Sequence, residues 1–293
     1  MIKIGIIGES EGNGHPYSFT SIINGFDKNK FNKVDWPNIY KYMLENSENG
    51  KIGIEGARVE YVWCDDFKKA EKIAYSGNIK YVAYDLEELL NCDVVIIARD
   101  DWETHFKLAK MFLENGKYVF IDKPLTFDDN EIEYFKKFIN NGHLFSCSAL
   151  RYAPELNSLP KINLKPYDII NAFCIKNWEL YSIHIIEPIF SKFSIDVTNI
   201  KMIYSDQNCE IRRLENSQDL HFNFTIYKRY NYPFLAFNVV SDKVYQVELK
   251  DHFRAFENTL KIFIENIKNN NQNPIIEFDN TRKILDTIIK GLK

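Results

Sequence analysis

The segment Asp122-Lys123-Pro124 closes the apolar run Tyr118–Ile121. A lysine at the carboxyl end of a central strand lies in the ligand crevice of an open α/β sheet. Desolvation and neighbouring charge can bring such an amine towards neutrality, where it holds or relays a proton. Pro124 restricts the turn and so fixes Asp122 and Lys123. The competing reading is an ordinary surface lysine after a strand. A second group of residues follows the first apolar run, Lys3–Ile7. It reads Gly8-Glu9-Ser10-Glu11-Gly12-Asn13-Gly14-His15-Pro16. Gly8, Gly12 and Gly14 let a backbone approach closely, and free amides at a helix start favour an anion. The spacing departs from GxGxxG, so a glycine-rich turn with no ligand competes with a pyrophosphate-binding loop that also uses Asn13 and His15. Asp65 ends the run Val59–Cys64, where a carboxylate accepts from ribose hydroxyls and repels a 2′-phosphate. Its competing role is N-cap of the next helix. Asp66 stands where a basic residue would suit NADP, so NAD is the expected cofactor, with NADP possible.

These groups need a scaffold that gathers strand ends. Apolar runs at Lys3–Ile7, Val59–Cys64, Tyr81–Tyr84, Asp93–Ala98, Tyr118–Ile121 and Leu144–Ser148 alternate with amphipathic segments. The helical segments are Tyr17–Gly25, Asp66–Tyr75, Leu86–Leu90, Trp102–Asn115 and Asp128–Asn141. Such alternation predicts an α/β, doubly wound parallel (Rossmann) sheet covered on both faces. Residues 27–56 read as an insertion holding a helix near Asn38–Leu44. Beyond about residue 150 the pattern changes. Strand-like runs at Asp168–Lys176, Asn199–Tyr204, His221–Tyr227, Phe234–Val240 and Lys243–Leu249 predict a mainly antiparallel open sheet with one apolar uncovered face. Helices are expected at Leu180–Phe193, kinked or broken at Pro188, and at Asp251–Asn269 and Asp279–Lys290. The predicted domains are a dinucleotide-binding domain, 1–150, and an α+β substrate and oligomerisation domain, 151–293.

The chain has 293 residues, a net charge of −4 and 45% hydrophobic residues. That balance suits a sizeable globular core and offers nothing to a polyanion, so no nucleic-acid partner is expected. No apolar run reaches the ~20 residues of a membrane span, and no leader peptide is expected at Met1. Cys64, Cys92, Cys147, Cys174 and Cys209 are scattered and unpaired by spacing. They predict free thiols in a reducing, cytoplasmic setting and no metal site.

The segment DVVIIARDDWETHFKLAKMFLENGKYVFIDKPLT, Asp93 to Thr126, resembles the glucose–fructose oxidoreductase / inositol dehydrogenase (Gfo/Idh/MocA) family. Its family form is an apolar strand, a loop, a helix with His near its start, Glu-x-Gly-Lys, a strand and Glu-Lys-Pro. Arg151-Tyr152 before Pro154 resembles the family's link into the substrate domain, and DHFRAFENTLKIFIENIKNNNQNP its C-terminal helix and loop. The resemblance implies that Lys123 contacts substrate and nicotinamide ribose. It also implies a histidine on the first helix of the substrate domain, which His184 in NWELYSIHIIEP fits; a satisfied core histidine competes. The sequence departs from the family at three places. Asp122 replaces Glu. Leu180 stands where an Asp commonly precedes the His by four. The loop after Ala98 is Arg99-Asp100-Asp101-Trp102 rather than a Thr-Pro turn, and its charges either face the cofactor or are solvated.

The implied activity is hydride transfer between a nicotinamide cofactor and a sugar or nucleotide-sugar. His184 is the natural base at neutral pH, Lys123 holds or relays the proton, and Tyr181 and Glu179 orient the substrate or the ring. Arg151, Tyr152 and Trp178 are candidate sugar contacts, with structural packing as the competing role. Ala98 and Arg99 join the cofactor contacts. The family implies a homodimer or homotetramer. The alternative from another class is a catalytically silent cofactor- or sugar-sensing regulator on the same fold.

Overall fold

The computed structural model describes residues 1–47, 52–229 and 234–293. The chain divides into two compact units. The first comprises Met1–Cys147 with Phe256–Phe278, and the second Ser148–Ala255 with Asp279–Lys293.

In the first unit six parallel strands lie in the order β3-β2-β1-β4-β5-β6. They are β1 (Ile2–Ile7), β2 (Ala57–Trp63), β3 (Tyr81–Val82), β4 (Val94–Ile97), β5 (Tyr118–Ile121) and β6 (Leu144–Ser146). The order reverses between β1 and β4, where an open sheet of this kind leaves a crevice at its carboxyl edge. All four residues of β4 are buried, as a strand covered on both faces requires. The principal helices are α1 (His15–Asn24), α4 (Phe67–Ser76), α5 (His105–Glu114) and α6 (Asp129–Asn140). Phe120 of β5 stacks with Phe19 at 5.8 Å and Phe145 at 5.3 Å. Phe263, from α9 (His252–Lys268), lies 5.7 Å from Phe120, so this late helix supplies part of the core.

The insertion forms α2 (Lys28–Phe31) and α3 (Pro37–Glu45), with residues 48–51 outside the described ones. Phe31 and Met43 are fully buried. The segment packs against the start of α1. A Cβ on Gly14 would lie 2.3 Å from Ile39 and 2.7 Å from Trp36.

The second unit is a six-stranded sheet in the order β12-β11-β7-β10-β9-β8. Its strands are β7 (Ile169–Ile175), β8 (Val197–Ser205), β9 (Cys209–Asn216), β10 (His221–Tyr227), β11 (Ala236–Val240) and β12 (Val244–Glu248). Only β7 and β10 pair in parallel; the other neighbours are antiparallel. α7 (Trp178–Tyr181), α8 (Ile183–Lys192) and α10 (Phe278–Leu292) complete it.

The structure corrects three expectations. β9 has no counterpart among the strand-like runs, because two of its inward positions, Glu210 and Arg212, carry an ion pair at 2.8 Å instead of apolar side chains. Of the kink or break expected at Pro188, the break is absent: α8 runs through that residue, and the helical stretch is interrupted instead at Ser182. The sheet face opposite the buried side chains is not simply apolar. Arg213, Asn223, Asn171, Asn238 and Gln246 stand in register across five strands. Within that row Asn223 donates to Asn171 at 3.1 Å, and Asn171 to Asn238 at 3.0 Å. Among the described residues no helix is long and apolar enough to cross a membrane, and no cluster of ligating side chains could hold a metal. All five cysteines are free.

Candidate functional site

The carboxyl ends of β1, β2, β4 and β5 bring most of the cofactor candidates together. Asp122 follows β5 and is 2% exposed. Its Oδ2 meets His15 Nδ1 at 2.5 Å and accepts from Asn13 Nδ2 at 3.3 Å. Its Oδ1 accepts from the Lys123 amide at 2.9 Å. Burial alone would raise the Asp122 carboxyl. The His15 charge and hydrogen bond, with the Lys123 charge and amide, hold it down at about 2. Asn13 in turn accepts from the His15 amide at 2.7 Å, which sets the entry to α1.

Lys123 is 3% exposed. Its Nζ lies 3.6 Å from Asp100 Oδ2. Ser10 in the β1 loop donates to Asp100 Oδ1 at 2.7 Å and accepts from the Asp100 amide at 3.2 Å. A buried lysine is thus fixed by a carboxylate that is itself fixed by the glycine-rich loop. In the sequence Asp100 stands only as one charge in a loop. The available signal is its place three residues after β4, at the carboxyl edge of the sheet.

Asp65, at the end of β2, pairs with Arg99 Nη1. Arg99 also reaches Asp101 through Nε at 2.8 Å and Nη2 at 2.6 Å. Against the upward pull of burial, Arg99 holds the Asp101 carboxyl below its ordinary value. The N-cap of α4 is Asp66, whose carboxylate accepts from the Lys68 amide, so Asp65 is spared that role. Arg99 is buried rather than solvated. Ala98 is fully buried and donates its amide to Ile7 O at 2.8 Å, continuing the β1–β4 ladder. His105 bridges two loops, its ring nitrogens 3.0 Å from Leu125 O and 3.1 Å from Arg99 O. Burial lowers its pKa, against the upward pull of the Leu125 and Arg99 carbonyls.

The loop fits a dinucleotide pyrophosphate. Gly12 has φ of 75° and a Cβ there would meet nothing within 4 Å, which leaves open space above a left-handed turn. The Gly12 and Gly14 amides have no acceptor among the described residues. At Gly8 a Cβ would fall 2.8 Å from Pro16, so the loop closes tightly on the start of α1. Glu9 turns aside, with Lys69 at 3.3 Å.

The second unit holds the other candidates. His184 on α8 is half-buried; its Nδ1 is 2.9 Å from Ser148 Oγ, and its ring meets Tyr181 edge-on at 5.5 Å. Ser148 donates its amide to Glu187 Oε2 at 2.7 Å, and Arg151 Nη1 lies 3.6 Å from Glu187 Oε1. Burial pushes the Glu187 carboxyl up to about 7, against the pull of Arg151 and the Ser148 amide. Sequence reasoning missed Ser148 and Glu187, although a lone carboxylate one helical turn from His184 in an apolar helix is a readable signal. Glu179 and Tyr152 are half-buried, and the Tyr181 hydroxyl is bonded to Lys176. Trp178 is corrected from sugar contact to packing residue. It is 3% exposed, donates Nε1 to Ile288 O at 2.8 Å and meets Phe224 edge-on.

Residues 41–143 match the family described as "Oxidoreductase family, NAD-binding Rossmann fold", the Gfo/Idh/MocA family. No curated protein matches the chain. Among solved structures, scyllo-inositol dehydrogenase from Lactobacillus casei is 14% identical, with a TM-score of 0.75, covering 99% of this chain and 94% of that one. Myo-inositol dehydrogenase from the same organism, solved with NAD(H) and myo-inositol, is 15% identical with a TM-score of 0.73, covering 99% and 93%. UDP-N-acetylglucosamine 3-dehydrogenase from Acidithiobacillus ferrooxidans is 13% identical with a TM-score of 0.71, covering 99% and 96%. At these identities the likeness is one of fold.

Asp122 gives a pH test. Its folded pKa lies below its unfolded one, so its stabilisation is complete above about pH 4 and lost as pH falls towards 2. At pH 7, Asp122→Asn should cost roughly 2 kcal/mol. In urea melts the gap from the parent protein should close on acidification; a gap constant from pH 7 to pH 3 would refute the pairing.

Proposed function

We propose that this chain, which carries the Rossmann domain of the Gfo/Idh/MocA oxidoreductase family, is an NAD-dependent dehydrogenase of a sugar, inositol or nucleotide-sugar. The observation that carries the reading is Lys123, a buried lysine at the end of β5, fixed by Asp100 beside a glycine-rich loop with free amides. The relatives of similar fold include inositol and nucleotide-sugar dehydrogenases, which supports the substrate class. A cytoplasmic setting agrees with five free thiols.

In this reading the amides of Gly12 and Gly14 hold the pyrophosphate, with Gly8, Asn13, His15 and Asp122 shaping the loop. Asp65 accepts from the adenosine ribose, and Ala98 and Arg99 border it. The bound nicotinamide supplies the hydride acceptor or donor. His184 takes the hydroxyl proton, with Ser148 orienting the ring through Nδ1. Lys123 is the candidate contact for the nicotinamide ribose and the substrate. Tyr181, Glu179, Arg151 and Tyr152 remain candidates for orienting the substrate. Leu180 in place of the family's Asp favours the second reading, a catalytically silent sensor.

Three outcomes test the proposal. Calorimetry should show NAD(H) binding to the full chain. Lys123→Ala should leave that affinity nearly unchanged while lowering kcat by roughly 10²–10⁴-fold on an inositol or UDP-N-acetylglucosamine. Binding without turnover of any such substrate by the parent protein would support the sensor. The Asp65, Arg99 and Asp101 cluster carries a net negative charge, which disfavours a 2′-phosphate. Asp65→Ser should release Arg99 and raise the NADP-to-NAD affinity ratio by about tenfold or more; an unchanged ratio removes Asp65 from the ribose site. The polar row of the second sheet, with three half-buried asparagines between an exposed Arg213 and Gln246, fits a homodimer or homotetramer, because a like face would pair its amides in register. Light scattering should exceed 34.6 kDa at micromolar concentration; a monomer sinks this assembly.

A further inference from the structure

We infer that the second unit carries a binding site for a small phosphate-bearing ligand, in a cavity beside the last turn of α8. The cavity is about 240 Å³. That is below the roughly 300–1,000 Å³ of drug-sized sites, so the occupant is small. Arg151, Lys192 and Lys283 line it, with Ser194 and Asn280 as neutral hydrogen-bonding groups. No carboxylate is among its lining residues. Three like charges around one void repel one another, and an anion placed among them removes that cost.

The cationic groups differ in their settings. Lys192 and Lys283 form no side-chain ion pair among the described residues, whereas the neighbouring Arg282 is held by Asp286 at 2.8 Å. Arg151 is the preorganised member. Its side chain is only 15% exposed, and Nη1 rests 3.6 Å from the buried Glu187 carboxylate. A guanidinium has five donors in a rigid fork, so this one contact leaves others for a tetrahedral oxyanion. Glu187 is in turn held by the Ser148 amide at 2.7 Å, which fixes the base of the arrangement. Asn280 and Lys283 come from the first two turns of α10, the end of a helix that favours anions. Phe190, Phe193 and Ile284 form an apolar wall. Such a wall suits the carbon skeleton of a phosphate ester better than a bare ion.

Lys192 lies eight residues beyond His184 on α8, about 12 Å along the helix axis. The cavity is therefore separate from the His184 ring, and its occupancy does not rest on the proposed hydride transfer. Arg151, also a candidate substrate contact in the sequence, lines this cavity.

Calorimetry on the full chain tests the site, with inorganic phosphate and glycerol 3-phosphate as probes and chloride holding ionic strength constant. Saturable binding is expected, with glycerol 3-phosphate the tighter probe. The double variant Lys192→Ser/Lys283→Ser should bind both about tenfold or more weakly. Its thermal midpoint should be no lower than that of the parent protein and its NAD affinity should match, because neither lysine has a structural ion pair or a place in the cofactor loop. Absence of saturable binding, or equal binding by parent and double variant, overturns the site. NAD titrations on the same samples report separately on the cofactor reading.

Discussion

The buried carboxylate of Asp122 is the contact on which the first unit's carboxyl edge depends. It takes His15 and Asn13 from the start of α1 and the Lys123 amide from its own turn. A desolvated carboxylate is costly unless its lone pairs are filled and its charge is matched, and removing a partner leaves an uncompensated charge. The glycine-rich loop and the Asp-Lys-Pro turn are therefore locked in one relative geometry. Lys123 inherits its position from that lock, and Asp100 and Ser10 tie the same lysine back to the same loop.

Charge is handled in the same way elsewhere in the chain. Arg99 is shared between Asp65 and Asp101, Arg151 is set against Glu187, and Arg212 against Glu210. In each case a guanidinium with little solvent exposure faces a carboxylate, which offsets part of its desolvation. Arg212 also stacks 4.5 Å over the Trp178 ring, so one side chain serves both the ion pair and the packing of α7. The insertion contributes to the same edge through packing. Trp36 and Ile39 fill the space beside Gly14, which steadies the start of α1.

How much of this was legible depends on whether the signal was local. β4 and β5 were readable because a strand buried on both faces must be apolar throughout. α6 was readable from its cap: Asp128 accepts from the Asn130 and Glu131 amides, as its residue type predicts. β9 was not readable, because Glu210 and Arg212 satisfy each other across space and erase the alternation. No break occurs at Pro188 because a proline's missing N–H is only one contribution in a helix anchored by tertiary packing; Ile185, Ile186 and Ile189 are fully buried around it.

By itself the sequence determined the parallel sheet, the change to an open second sheet, the glycine-rich loop and the lysine at the end of β5. All of these follow from period, apolar runs and backbone freedom over short stretches of chain. Tertiary structure alone decided the pairings: His15 with Asp122, Asp100 with Lys123, Arg99 with Asp65, Ser148 with His184 and Glu187. Each of these joins residues between 34 and 107 positions apart, apart from Asp100 and Lys123, which meet across adjacent strand ends. The physical reason is that a charge's partner is set by where strand ends and helix starts converge, and no local pattern encodes that convergence.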